Sequence, residues 1–354
     1  MGLINIEGFE IGGDKAYVIA DIGSNHKQDL KLAKESIDAV VECGANAVKF
    51  QSIQLNELYF NPDRITADFV KQLEFPEDWH HILKEYCDKK GITFFSSPTY
   101  IKSVDLLEEV DVSLYKLASA QIGTFPQIVE KVAKLKKPTI FSTGIAGYEE
   151  IIRAVKIFKK NNNNNFIILH CNSIYPTPPN EVNLQLINTY KAMFNNPVGF
   201  SDHTEGFHIA CSAVAMGANV IEKHFTLDRN LDTPDSNSFA ADPIELKTLV
   251  ENIRDIEASK NIYNDRIHIQ PEELEFKNAI IYRCVASRNI MEDSELSLYD
   301  LSFLRHSEGI DARLIETLIN KVPYCTNMST AYAFLEAIKS LKTKKLSVKS
   351  LQDK

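Results

Sequence analysis

GFSDHTEGFHIACSAVAMGANVIEKHF, residues 199–225, is the stretch on which the fold turns. Two short apolar runs, PVGFSDH (197–203) and NVIEKHF (219–225), read as β-strands, and each delivers a histidine, His203 and His224, near its end. Between them GFHIACSAVAMG has helical periodicity and a glycine, Gly217, where the helix must stop. Upstream the same alternation recurs. Strands are expected at AYVIADIG (16–23), NAVKFQS (46–52), ITFFSSP (92–98), SLYKLAS (113–119), PTIFSTG (138–144) and FIILHCNS (166–173). Helical patterns such as DLKLAKESIDAVVECG (29–44) and YEEIIRAVKIFKK lie between them, and PIELKTLVENIRDIEASK follows the last strand. Asp29 is positioned to cap the first helix, and Gly44 and Gly91 stand, like Gly217, at helix ends.

Eight β/α pairs imply an α/β fold of the (β/α)8 TIM-barrel type over residues 1–260. The competing doubly wound sheet lacks its G-x-G-x-x-G after the first strand. From about Asn261 the pattern changes. A polar linker is expected over 261–280, and a small second domain over 281–340 carries the strand-like runs AIIYRCVASRNI and LSLYDLSFLR and the helical run DARLIETLINKV. Residues 341–354 read as a polar tail, and NNNNN (161–165) as a turn.

Across 354 residues, 44% are hydrophobic and 25% charged, as in ordinary folded globular proteins. A formal net charge of −9 argues against nucleic acid or an anionic membrane as partner, so an anionic substrate would need a local lysine pocket. Six cysteines without a C-x-x-C pair point to a reducing compartment. No basic segment leads into an apolar run, and no run of about 18 apolar residues occurs, so a cytoplasmic location is expected.

Barrel chemistry sits at the C-terminal ends of the strands, and these eight end in polar residues. They are Asp21, Ser24, Asn25 and His26; Lys49 and Gln51; Ser96 and Ser97; Lys116 and Ser119; Ser142 and Thr143; His170, Asn172, Ser173 and Tyr175; Ser201, Asp202 and His203; Glu222, Lys223 and His224. Strand alternation puts Ser201 with His203, Glu222 with His224 and Lys49 with Gln51, and turns Lys223 away toward the helices. Consecutive barrel strands are neighbours, so His203 and His224 finish side by side, where two imidazoles suit a first-row divalent metal. Lys49 and Lys116 with Ser97, Ser119, Ser142 and Ser201 would form a hydroxyl-lined cationic pocket fit for a phosphate. The alternative for the lysines is a structural ion-pair network with Asp21 or Glu222.

The strings IADIGSNH, VKFQS, FSSP, YKLAS, STG, HCNSIYPTP, FSDHT and IEKHFTLD, spread from about residue 16 to 258, resemble the sialic acid synthase (N-acetylneuraminate synthase) family. The resemblance implies condensation of phosphoenolpyruvate with an N-acetylmannosamine-type 2-acetamido or diacetamido hexose, giving a nine-carbon nonulosonic acid and phosphate for surface polysaccharide or other glycans. It also implies a small antifreeze-like (SAF) second domain, a domain-swapped homodimer, and a divalent metal, Mn²⁺ or Mg²⁺, on His203 and His224. Lys49, Ser97, Lys116, Ser119, Ser142 and Ser201 match phosphoenolpyruvate contacts, and Gln51, Ser173, Tyr175 and Asp235 match positions near the sugar. Asp21 stands where the family usually has Glu. Arg305, opening RHSEG (305–309), matches the arginine of an R-P-G-x-G string, and the D-S-x-x-F at Asp235 echoes the pseudaminate branch. In the implied reaction the metal polarises the aldehyde, C3 of phosphoenolpyruvate attacks it, water adds at C2, and phosphate leaves by C–O cleavage. Two other readings stay open: a Schiff-base aldolase using Lys49 or Lys116, and a degenerate barrel kept for binding.

Overall fold

In the computed structural model, which describes residues 2–260, 269–289, 291, 297–307 and 309–315, all eight expected runs pair as parallel strands. A two-stranded antiparallel hairpin comes first, β1 (Ile4–Ile6) and β2 (Phe9–Ile11). The barrel strands are β3 (Tyr17–Gly23), β4 (Ala47–Ser52), β5 (Thr93–Pro98), β6 (Tyr115–Leu117), β7 (Thr139–Ser142), β8 (Phe166–Cys171), β9 (Val198–Asp202) and β10 (Val220–His224). Their order, β5-β4-β3-β10-β9-β8-β7-β6, makes the first and last barrel strands neighbours, and β5 packs against β6 at the one seam without a ladder. This is a (β/α)8 TIM barrel.

Helices Leu30–Glu42, Trp79–Lys90, Ile101–Glu109, Pro126–Leu135, Tyr148–Lys160, Gln185–Phe194, His208–Ala215 and Pro243–Ser259 cover the outside. Asp29 caps the first of them by accepting from the Lys31 and Leu32 amides. Gly91 ends the second in the left-handed region, φ 70°, a conformation open to glycine without a Cβ penalty. Apolar side chains that point outward from the strands, such as Val18, Val48, Phe94, Phe141 and Ile168, pack with the inner faces of these helices as one core.

A second core fills the lower barrel: Tyr17, Ile19, Ala47, Phe95, Leu114, Ile140, Ile167, Leu169 and Val220 meet Ile4, Ile6 and Ile11 of the hairpin. The hairpin, which the sequence reading does not anticipate, therefore closes the floor. Two residues further along most of these strands the inward residue turns polar. Ile19 gives way to Asp21, Ala47 to Lys49, Phe95 to Ser97, Leu114 to Lys116, Ile140 to Ser142 and Val220 to Glu222. On β9 the floor position is Gly199, where an added Cβ would collide with the Val220 carbonyl and Leu169.

Three differences from the sequence reading concern elements. β6 stops at Leu117, and Ser119 opens a short helix, Ser119–Thr124. Helices Leu55–Leu58 and Arg64–Leu73 occupy the connection after β4. Pro271–Ala279, inside the stretch assigned to a linker, is helical, with proline at its first position and Gln270 and Glu273 forming a capping box.

The chain divides near residue 262 into two compact units. In the second, β11 (Tyr282–Ala286) pairs antiparallel with β12 (Leu301–Arg305) and β13 (Ile310–Asp311). Most of the expected helical run DARLIETLINKV and the whole of the tail 341–354 lie outside the described residues. Among the described residues no helix is long and apolar enough to cross a membrane.

Candidate active site

Of the residues singled out from the sequence, Asp21, Lys49, Gln51, Lys116, Ser119, Ser142, Ser173, Tyr175, Ser201, His203, His224 and Asp235 line one cavity of about 350 Å³ at the C-terminal mouth of the barrel. Ser97 is buried, is the ladder partner of Gln51, and does not line the cavity. Arg305 belongs to the second unit, where it ends β12 with its guanidinium over the Tyr282 ring at 5.4 Å.

Register explains the charge pattern. Asp21 is the ladder partner of Lys49 on one side and of His224 on the other, and Glu222 is that of Ser201. Lys49 Nζ bonds Asp21 Oδ2 at 2.7 Å and Glu222 Oε2 at 3.3 Å, while Lys116 Nζ donates to both Glu222 oxygens at 2.6 and 2.8 Å. The Ser201 hydroxyl donates to Glu222 Oε1 at 2.9 Å. The result is a buried chain, Asp21, Lys49, Glu222, Lys116, in which two positive and two negative charges balance. Burial opposes charge on each group, but the two ammonium groups hold Glu222 well below the usual carboxylate range. Burial likewise works against Lys49, yet Asp21 and Glu222 together hold it above the ordinary lysine value. Lys116 is pushed below that value by burial and by Lys49, against the pull of Glu222. Asp21 is raised by burial despite Lys49. Both readings of the lysines therefore meet in one place: they are paired with acids, and they line the cavity.

Glu222 is the residue that the sequence reading set on the inner face without giving it a site role. Its signal was its place on the inner face, between the apolar Val220 of the floor and His224 at the rim.

His203 and His224 lie with ring centroids 5.2 Å apart. His203 Nδ1 donates to the Asn172 carbonyl at 2.6 Å, which leaves Nε2 as the lone-pair nitrogen. Burial and the neighbouring imidazole push His203 down to about 3, and burial also lowers His224, so both rings are neutral near pH 7. His224 stands 3.7 Å from Asp21 and 4.0 Å from Asp235, and its Nδ1 is buried without a hydrogen-bond partner. Tyr175 covers His203 at 4.2 Å between centroids, and Phe239 meets His224 edge-on at 5.2 Å. Among the described residues no set of three or more His, Cys, Asp or Glu side chains is arranged around one point for a metal ion. The donor chemistry still fits a divalent cation that takes two neutral imidazoles from the protein and its other ligands from water or substrate oxygens. The buried hydroxyl of Ser142, in the cavity lining, also lacks a partner, as a group awaiting a ligand would.

His26 and His170, also at strand ends, do not line this cavity. His26 sits among Phe50, Phe75 and Trp79 and accepts the Gln28 amide on Nδ1. Burial pushes it down from 6.5 to about 4, a difference corresponding to roughly 3 kcal/mol. The unfolded chain takes up a proton in that range and the folded chain refuses it, so this contribution is whole above pH 6.5 and is lost as pH falls toward 4. Urea midpoints at pH 7 and pH 4.5 should differ less in His26→Gln than in wild type; equal differences would clear His26 of the effect.

The chain matches the NeuB family over residues 36–263. It is 37% identical to the N,N'-diacetyllegionaminic acid synthase of Campylobacter jejuni over 325 residues, covering 87% of this chain and 96% of that one. It is 34% identical to the pseudaminic acid synthase of the same species over 323 residues, 87% of this chain and 92% of that one. Among solved structures, the N-acetylneuraminic acid synthetase of Leptospira borgpetersenii, determined with citrate, superposes with a TM-score of 0.71 at 36% identity, covering 78% of this chain and 97% of that one.

Proposed function

The chain belongs to the NeuB family, and from that premise we propose that it joins phosphoenolpyruvate to the open-chain aldehyde of a 2-acetamido or diacetamido hexose, giving a nonulosonic acid and phosphate. The enzyme is a synthase that forms a carbon–carbon bond. The observation that carries the reading is the joint placement, at one barrel mouth, of the Asp21–Lys49–Glu222–Lys116 chain and the neutral His203–His224 pair.

In this reading Lys49 and Lys116 bind the phosphate and carboxylate of phosphoenolpyruvate beside the Ser119, Ser142 and Ser201 hydroxyls of the same cavity, and Ser97, buried outside that lining, is left out of the contact set. Fixed ammonium groups in a water-poor site stabilise negative charge with little reorganisation. Asp21 and Glu222 keep Lys49 protonated and so unfit as an amine nucleophile, which weighs against Lys49 as an aldolase lysine and leaves Lys116, lowered by burial, as the candidate for that reading. His203 and His224 would hold Mn²⁺ or Mg²⁺, which when bound supplies Lewis acidity toward the sugar aldehyde. Gln51, Ser173, Tyr175 and Asp235 would face the sugar, with the Tyr175 ring, packed on Phe239, beside it. Asp21 takes the role of the usual Glu with a side chain one methylene shorter.

Phosphate release from phosphoenolpyruvate, measured with a panel of 2-acetamido and diacetamido hexoses, tests the function. Release that requires one of these sugars is expected; no release with any of them would overturn the reading. Borohydride added during turnover should leave the chain unlabelled, since covalent labelling would favour the aldolase.

The second unit would be the antifreeze-like domain of a domain-swapped homodimer, with Arg305 serving the acyl substituent of the sugar. Arg305→Ala should then raise KM for the sugar several-fold and leave KM for phosphoenolpyruvate and kcat nearly unchanged, as for a contact made equally in ground and transition states. Unchanged sugar KM would remove Arg305 from the site.

A further inference from the structure

The backbone ladder between β9 and β10 ends one residue short of the histidines, at Lys223 and Asp202. These two side chains face outward, away from the cavity, and form an ion pair of 2.9 Å whose members are 1% and 0% exposed. Neither touches the site. Lys223 Nζ also donates to the Thr204 carbonyl at 2.5 Å, and Asp202 Oδ1 accepts the Thr204 amide at 2.8 Å. The residue enclosed by this clasp is His203. Its own carbonyl accepts the Thr177 amide at 2.8 Å, and its ring is steered by the Asn172 carbonyl. The clasp begins at Lys223, the residue before His224, and closes on both sides of His203.

A fully buried ion pair is a poor source of stability, because desolvation offsets most of the attraction and apolar replacements are often no less stable. What it does well is fix geometry. We infer that Asp202 and Lys223 form a positioning pair that takes over where the ladder stops and sets the separation of His203 and His224. The inference rests on the reading of those histidines as ligands of a divalent cation, and deepens it: outer-shell partners orient ligands and set affinity.

Full-length wild type is compared with two doubly substituted chains. Asp202→Leu with Lys223→Met removes the clasp, and Asp202→Asn with Lys223→Gln discharges it but keeps donors and acceptors toward Thr204. Two readouts are taken: Mn²⁺ affinity, from the paramagnetic resonance signal of the free ion, and the proton resonance of the His203 imidazole N–H bonded to Asn172. The apolar pair should bind Mn²⁺ about tenfold or more weakly, the low end for outer-shell losses, and should lose or shift the N–H signal. The amide pair should restore both. If the apolar pair does not fold, Asp202→Asn with Lys223→Met, neutral and still able to hold the Thr204 amide, takes its place with the same expectations. Wild-type affinity together with an unmoved N–H signal in the clasp-less chain would overturn the inference. A wild type that binds no Mn²⁺ would sink the metal reading instead, and the N–H signal alone would then decide whether the pair positions His203.

Discussion

Exhaustive dialysis against a chelator should abolish phosphate release, and adding back Mn²⁺ or Mg²⁺ should restore it. His203 and His224 are neutral near pH 7 because burial holds both below the ordinary imidazole value, so a cation need not displace a proton from either. Polarising a carbonyl with a cation is worth several kcal/mol in the transition state, so its loss should cost at least about 10²-fold in rate. His203→Ala should show the same loss even with excess metal. The substitution deletes the bond to Asn172 and the contact with Tyr175, but none of the apolar floor, so the circular dichroism spectrum should remain that of the barrel. Full turnover in excess chelator, or a His203→Ala chain within a few-fold of wild type, would remove the metal from the mechanism.

How much of this was legible depends on what each feature rests on. The eight strands were legible because apolar runs alternate with helix-periodic segments, and the inner face was legible because strand alternation has period two. That made His203 and His224 neighbours before any coordinates. Pairing was not legible. Alternation puts Asp21, Lys49, Lys116 and Glu222 on one surface, but that Lys49 on β4 meets Asp21 on β3 and also reaches past it to Glu222 on β10 depends on β10 lying next to β3, a fact of ring closure. The floor hairpin was missed because three-residue strands carry no periodicity; Ile4, Ile6 and Ile11 are held by the barrel interior rather than by local preference. Asp235 sits in an excursion without period, placed by the Phe225 to Ala241 bridge and the hydroxyl contact of Thr226 with Ser236. Only the resemblance to a family pointed to it. Ser119 fell in a helix because β6 is short, yet its hydroxyl still reaches the cavity, accepting the Gly144 amide at 2.9 Å.

Glu222→Gln should be the most damaging single change in the barrel that leaves its shape alone. The amide fills the same volume, but the buried chain then holds two ammonium groups against one carboxylate, Asp21, whose lysine partner is Lys49. Breaking a buried pair from one side costs about 3–5 kcal/mol, since the remaining charge is left uncompensated. Lys116 carries that cost, because Glu222 is its ion-pair partner and burial already presses it below the ordinary lysine value. In the variant Lys116 should release its proton more readily. Between its folded value and 10.5 the unfolded chain then binds more protons than the folded one, so stability rises with pH, and the deficit against wild type should shrink from pH 7 toward pH 10. Activity should fall at every pH, because a neutral Lys116 no longer offers charge to an anionic substrate. A second chain separates the two effects: Glu222→Leu with Lys116→Met removes both partners, should recover most of the denaturation midpoint as apolar replacements of buried pairs do, and should stay inactive. A Glu222→Gln chain that melts with wild type and turns over normally would mean that Lys116 is satisfied elsewhere and that Glu222 is not the hub of the site.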